Sequence, residues 1–232
     1  MTALLVLVGL ALGGATEDLV LAANDQLAEA QRMAAFERLV LLGNTDMAVV
    51  SAISVDEKAD TRHRWVAIRS LGKIKGDRAK TLLGELLSDP QAAIRTAAAG
   101  AMGDFGHKDF VEPLNASLED AAVLVRAAAA KAVGQIGDER SVKPLSDAVN
   151  HRRSFFRGRS IWVRRHYVDA LGEVGSKAAY PVLLRTIDDA DELVAKAVIG
   201  ALEKVAGFNF SEGRTTAQEK EAWRRYVSAQ LR

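Results

Sequence analysis

The amino-acid sequence predicts an all-α fold, in which pairs of helices repeat along the chain and stack into a solenoid. Gly72, Gly103 and Gly134 recur about 31 residues apart, and a period in this range is typical of stacked helix-pair repeats. Alanine and leucine are abundant and aromatic residues make up only 6% of the chain, which favours closely packed helices. Apolar residues also recur every three or four positions, the spacing of an amphipathic helix.

The clearest unit covers residues 91–120. A first helix is predicted over 91–102 and a second over 110–118, and the next unit, 122–150, repeats the pattern. The glycine pairs 103/106 and 134/137 are interpreted as helix stops between the two helices of a unit. About five units are expected in all.

Four segments are predicted from these patterns. Residues 1–15 are a signal peptide or a buried N-terminal helix, 16–60 a degenerate capping repeat, 61–207 the regular repeats, and 208–232 a C-terminal capping helix. Thr216 and Glu219 have the spacing of a capping box for that last helix.

The two alternatives for residues 1–15 differ in localisation. Ala3 to Leu12 is an uncharged run of signal-peptide length, and Gly13 and Ala15 form a small-x-small cleavage pattern. No Lys or Arg precedes the run. We expect an exported protein, periplasmic or secreted, with a cytoplasmic protein as the alternative.

Charged residues follow the same period as the glycines. Arginines recur at 64, 95, 126 and 164, and aspartates stand at 89, 120 and 189. An acidic residue in the turn between units can cap the next helix and pair with basic groups. These charges are therefore predicted to be structural.

These motifs resemble HEAT repeats, specifically the short type found in phycobilisome lyases. The resemblance is carried by AVGQIGDERSVKPL at 132–145 and DAAVLVR at 120–126. It implies a right-handed superhelix of antiparallel helix pairs but no single activity, because chromophore lyases and scaffolds share the repeat.

One interruption of the period gives the candidate functional site. The segment 151–161 adds about seven residues and begins a stretch in which arginines alternate with aromatic residues. The predicted partner-binding residues are Arg152, Arg153, Phe155, Phe156, Arg157, Arg159 and Arg165.

Three interpretations of this insert stay open. The arginines can bind phosphate or carboxylate groups, as in a nucleic-acid-binding protein. They can hold an acidic protein partner or anionic lipid headgroups, with Phe155 and Phe156 as apolar anchors. Alternatively, the phenylalanines fill the space left by the longer loop and the arginines are only solvated.

Composition narrows the function classes. The chain has no cysteine and a net charge of +1, so thiol chemistry is excluded and no overall field attracts polyanions. The four histidines form none of the common metal-binding pairs, and no nucleophile motif such as G-x-S-x-G occurs. We therefore predict no catalytic residue, no metal and no cofactor, and we expect packing roles for the three tryptophans.

The predicted function is a non-catalytic, monomeric scaffold that binds a protein partner, with acidic partners favoured. A chromophore-lyase-like chaperone and a nucleic-acid-binding protein are the alternatives, and peripheral contact with an anionic membrane stays open. Further contact positions are expected on the second helices of the units. They are Lys80, Glu85, Glu112, Asn115, Lys143, Asp147 and Arg185.

Overall fold

The computed structural model describes residues 14–42 and 47–232. Those residues form thirteen α-helices, which confirms the all-α prediction. They divide into two compact units between Phe105 and Gly106. Residues 1–13 of the run interpreted as a signal peptide lie outside the described residues. Gly43 of the degenerate repeat lies outside them as well.

The first unit is built from helix pairs joined by short turns. The helix α4 packs along α6, and α5 contacts both of them. The helices of this unit are α1 (Ala15–Ala23), α2 (Glu29–Leu42), α3 (Met47–Val55), α4 (Thr61–Ile74), α5 (Asp77–Leu86) and α6 (Ala92–Phe105). No single helix of the described ranges is long and apolar enough to cross a membrane. The helices α2 and α3 reach that length and apolar composition only when taken together, and their axes are bent by 115° from each other.

The second unit repeats the pairing more regularly. The first helices α8, α10 and α12 pack side by side, and the second helices α7, α9 and α11 each pack on a first helix. The helices are α7 (Val111–Ser117), α8 (Val123–Ile136), α9 (Val142–Asn150), α10 (Val163–Val174), α11 (Tyr180–Thr186), α12 (Glu192–Ala206) and α13 (Thr216–Gln230). Small residues of the first helices allow this close stacking, because alanine presents little more than the backbone.

The periodic glycines correct one part of the sequence interpretation. Gly103 and Gly134 do not stop helices; they lie buried inside α6 and α8. Gly72 and Gly172 lie buried in the same way inside α4 and α10. A β-carbon on Gly172 would lie 2.8 Å from the α-carbon of Ala201 on α12. Glycine is needed there because neighbouring first helices approach each other too closely for a side chain.

The glycines that follow the first helices do end them. Gly137, Gly175 and Gly207 are the C-caps of α8, α10 and α12, with φ of 69°, 71° and 80°. A left-handed conformation costs glycine little, and the amide of each cap bonds back into the last helical turn. The turn prediction therefore holds for this position of the pair only.

Buried ion pairs hold the turns between units. The guanidinium of Arg64 donates to Asp89 at 2.5 Å, and that of Arg164 donates to Asp189 at 2.6 Å. In both pairs the aspartate follows its arginine by 25 residues. The other aspartate oxygen accepts the amide two residues ahead, at Gln91 and Asp191 respectively. The predicted structural role of these charges is confirmed at both turns.

An aromatic cluster closes the C-terminal end of the second unit. Trp223 of α13 is fully buried, and Phe208 stacks on it with the ring centroids 5.5 Å apart. The capping box of α13 is formed by Thr215 and Gln218, not by Thr216 and Glu219 as the sequence predicted. The helix begins one residue earlier because Thr215 keeps extended backbone geometry and its hydroxyl accepts the Gln218 amide.

Candidate functional site

The insert folds as a short 3-10 turn (Arg152–Ser154) followed by a small β-hairpin. Strand β1 (Phe155–Phe156) pairs in antiparallel register with β2 (Arg159–Ser160). Arg157 and Gly158 form the turn, with φ of 50° and 75°, and two positive values in succession are typical of a two-residue hairpin turn. This hairpin is a local insertion within the all-α fold of the described residues.

The base of the hairpin is fixed to the repeat. Buried Ser154 donates its hydroxyl to the Ala148 carbonyl at 2.7 Å, and its own carbonyl accepts the Ile161 amide at 3.0 Å. The ring of Phe155 lies 4.4 Å from the guanidinium carbon of Arg164. Phe155 thus covers a structural ion pair, so the gap-filling interpretation fits this phenylalanine.

Other aromatic residues of the segment face solvent. Phe156 is 66% exposed, and the Arg157 guanidinium lies over its ring at 5.3 Å. Trp162, at the start of α10, is half exposed and meets the edge of His166 at 5.3 Å between ring centroids. The packing role expected for the tryptophans is confirmed for Trp223, whereas Trp162 and Trp65 are 50% and 44% exposed and so lie outside the core.

The predicted arginines divide into two groups. Arg152, Arg157 and Arg159 are exposed, and no carboxylate of the described ranges lies within ion-pair distance of them. Arg153 instead donates to the Glu119 carbonyl, and Arg165 lies 3.8 Å from Asp169. Three guanidinium groups of the insert, Arg152 in the turn before β1 and Arg157 and Arg159 in the hairpin, therefore have no carboxylate partner in the described ranges and lie beside an exposed phenylalanine.

Arg126 is a site residue that the sequence interpretation missed. It is only 5% exposed, yet none of its nitrogens meets a carboxylate among the residues that the structure describes. Its Nη1 donates to the carbonyls of Asp120 and Ala121, while Nη2 reaches the Arg153 carbonyl only at 3.4 Å and Nε has no partner. The signal was available, because position 151, which follows Arg126 by 25 residues, holds histidine instead of aspartate.

A pocket of about 330 Å³ opens at this turn. Arg126, Tyr167 and Ser154 line it together with Asn115 of α7, whose buried side-chain oxygen has no hydrogen-bond partner. Burial raises the pKa of the Tyr167 phenol, against the opposing effect of the neighbouring Arg126 guanidinium. The phenol therefore stays protonated. The pocket holds one permanent buried cation, and the exposed carboxylates of Glu112, Glu119 and Asp147 lie at its rim.

The polar positions predicted on the second helices only partly converge. Glu112, Asn115 and Asp147 line this pocket, whereas Lys143 and Arg185 border a separate depression between α9 and α11. Lys80 and Glu85 belong to α5 in the first unit. Within the described ranges no cluster of acidic, histidine or cysteine side chains could hold a metal ion.

Comparison with known protein families is decisive for the repeat. The model of HEAT repeats matches residues 80–162 and 153–209, together more than half of the chain. The chain belongs to the HEAT repeat family. A further model, the PBS lyase HEAT-like repeat, matches residues 64–89, so the resemblance inferred from the motifs is confirmed for this HEAT repeat protein.

Solved structures include one that gives the same fold. An engineered protein is 20% identical, with a TM-score of 0.53 and coverage of 83% of this chain and 89% of the other. Human deoxyhypusine hydroxylase in complex with glycerol is 14% identical, with a TM-score of 0.42 and coverage of 83% and 96%. The complex of CpcE and CpcF of phycocyanin lyase from Nostoc sp. is 17% identical, with a TM-score of 0.38 and coverage of 93% and 95%. No curated protein matches this HEAT repeat protein in sequence.

Proposed function

We propose that this HEAT repeat protein is a non-catalytic scaffold that binds an acidic protein segment through the hairpin of residues 151–161. The observation that carries the proposal is the set of three exposed arginines without carboxylate partners in the described ranges, held on a folded hairpin beside exposed Phe156. Interfaces are enriched in arginine and aromatic residues of this kind.

An acidic protein segment suits the surroundings better than nucleic acid. Exposed Glu112, Glu119 and Asp147 lie on the same unit beside the pocket, and the whole chain carries a net charge of only +1. A polyanion with evenly spaced phosphates would meet these carboxylates as well as the arginines. A peptide can instead place its acidic residues selectively.

The repeat itself does not favour a lyase-like activity. The PBS lyase HEAT-like match over residues 64–89 describes a structural repeat in the first unit, and a repeat of this kind supports several unrelated functions. Binding by surface complementarity needs no further reactive group, so we place the scaffold function first.

Fluorescence anisotropy with a labelled glutamate-rich peptide tests the proposal. The wild type is expected to bind the peptide, and the triple variant Arg152→Glu, Arg157→Glu, Arg159→Glu should bind it at least about tenfold more weakly, because like charges then face each other. These three side chains are exposed, so their replacement should leave the melting temperature unchanged.

A second triple variant controls for net charge. Lys58→Glu, Arg78→Glu and Arg225→Glu make the same change at exposed positions outside the insert, and this variant should bind like the wild type. Equal weakening in both variants would show that only overall charge matters. Tighter binding of single-stranded DNA than of the peptide, with a steep salt dependence, would favour the nucleic-acid alternative.

A further inference from the structure

The turn after α9 breaks the arginine–aspartate register. At two other turns an aspartate follows the buried arginine by 25 residues and receives its guanidinium, as in Arg64–Asp89 and Arg164–Asp189. His151 holds that position for Arg126. The arginine is retained and buried, and its carboxylate is missing.

The aspartate at the other turns has two roles, accepting a backbone amide of the turn and neutralising the arginine, and His151 performs the first. Its Nδ1 accepts the amide of Arg153 at 3.2 Å, just as Asp189 accepts the amide of Asp191 at 3.0 Å. The turn is therefore still capped. The second role, neutralising the arginine, is not performed, because a histidine side chain carries no negative charge.

The donors that Arg126 has left match a carboxylate. Nε–H is without a partner and Nη2–H makes a 3.4 Å contact, and these two groups share one edge of the guanidinium, which neighbours the Tyr167 phenol. A carboxylate accepts two parallel bonds from such an edge. Asp189 forms such a pair of bonds in the same fold through the other edge of its arginine, with Nη1 and Nη2 of Arg164 at 3.1 and 2.6 Å.

The acidic residues around the pocket do not occupy this arginine. Glu112 pairs with Arg140 at 3.2 Å and Asp147 with Lys143 at 2.8 Å, and both carboxylates are well exposed. Glu119 is exposed as well. Because arginine stays charged in proteins, its burial without an anion is unfavourable, and a carboxylate from outside would relieve that cost.

We propose that the pocket binds one carboxylate of the partner, which takes the place of the missing aspartate on Arg126. This inference rests on the proposed function and deepens it, since it assigns the acidic group of the partner to a specific site beside the hairpin. The carboxylate belongs to an aspartate or glutamate side chain or to the C-terminus of the partner.

Three single substitutions test the site by anisotropy with the labelled glutamate-rich peptide. His151→Asp restores the internal carboxylate and should lower the affinity by about tenfold or more. His151→Asn keeps a neutral capping side chain and should bind like the wild type. Asn150→Asp adds the same charge at the exposed neighbouring position and should change the affinity by less than about threefold.

The melting temperatures give a second readout. His151→Asp should melt about 3 °C or more above His151→Asn, because the buried arginine gains its partner. Equal peptide affinities for His151→Asp and Asn150→Asp would overturn the inference while the proposed function stood. Equal melting temperatures for His151→Asp and His151→Asn would overturn it too.

The two failures are separable, and the source of the carboxylate can be resolved. If the wild type binds no acidic peptide, the proposed function fails, and the free dicarboxylate glutarate then tests the pocket alone. Glutarate should raise the melting temperature of His151→Asn but not that of His151→Asp. Equal shifts in the two variants, or no shift in either, would reject the site. Peptides with an amidated C-terminus, or with glutamine for glutamate and a free C-terminus, distinguish a side-chain carboxylate from a terminal one.

Discussion

At the scale of single residues, the buried pair Arg164–Asp189 should dominate the stability of its turn. Its side chains are 2% and 15% exposed. Asp189→Asn would leave a buried guanidinium without its anion, so we expect a loss of about 3 kcal/mol in the free energy of unfolding, measured by denaturant titration.

The neighbouring Asp188→Asn is the matched control. Asp188 pairs with Arg224 and Lys220 but is 61% exposed, so its loss should cost less than about 1 kcal/mol. Similar costs for the two substitutions would show that burial of the Arg164 pair contributes little.

The same pair predicts how stability depends on pH. Burial alone would raise the pKa of Asp189, but hydrogen bonds from Arg164 and from the Asp191 amide outweigh it, so that the net direction is down from 3.8. A carboxyl whose folded pKa is lowered contributes stability above its unfolded pKa and loses it as the pH falls through the folded value. The denaturant midpoint of wild-type unfolding should therefore decrease as the pH is lowered below about 4. Asp189→Asn should weaken this acid dependence. An unchanged acid dependence in the variant would contradict the assignment.

At the scale of helices, the contact between α10 and α12 depends on a missing side chain. Alanine at Gly172 would bring its β-carbon to 2.8 Å from the Ala201 α-carbon, and such overpacking costs about 1–3 kcal/mol. A β-carbon on Gly200 of α12 would meet nothing within 4 Å, so Gly200→Ala should instead stabilise by about 0.5–1 kcal/mol. Thermal unfolding should give a lower melting temperature for Gly172→Ala and a higher one for Gly200→Ala. If both variants were destabilised, a close approach of α10 and α12 at Gly172 would not explain the result.

The helices themselves were predictable, because apolar spacing and periodic charges report repeat geometry directly. The role of Gly72 and Gly172 was not, since a glycine near a helix end is compatible with both a stop and a close contact, and only the neighbouring helix decides between them. The hairpin was missed because Phe155–Phe156 and Arg159–Ser160 form strands of two residues each, too short for an alternating pattern.

At the scale of the whole molecule, the position of the insert was predictable from the sequence, but which of its residues pack and which face solvent was not. Phe155 and Phe156 are adjacent and chemically identical, yet one packs on Arg164 and the other faces solvent, because successive strand residues point to opposite faces. The lack of a carboxylate beside Arg126 follows from histidine at position 151, and that position is recognised as the partner of Arg126 only from the 25-residue pairing in the structure.

Export is a proposal that concerns the whole molecule. The uncharged run from Ala3 to Leu12 and the pattern Gly13-x-Ala15 predict that a host with a secretory pathway cleaves the chain after Ala15. Intact-mass measurement of the protein from the extracytoplasmic fraction should then give a chain beginning at Thr16. Recovery of the uncut chain from the cytoplasm alone would contradict the proposal.

The central claim is that the charge of the hairpin selects an acidic partner segment, and a charge swap tests it most directly. We would measure the affinity of the wild type and of the Arg152→Glu, Arg157→Glu, Arg159→Glu variant for two peptides. The peptides are identical except that lysine replaces every glutamate in the second. We expect the wild type to prefer the glutamate peptide and the variant to prefer the lysine peptide. The same preference in both proteins would contradict the central claim.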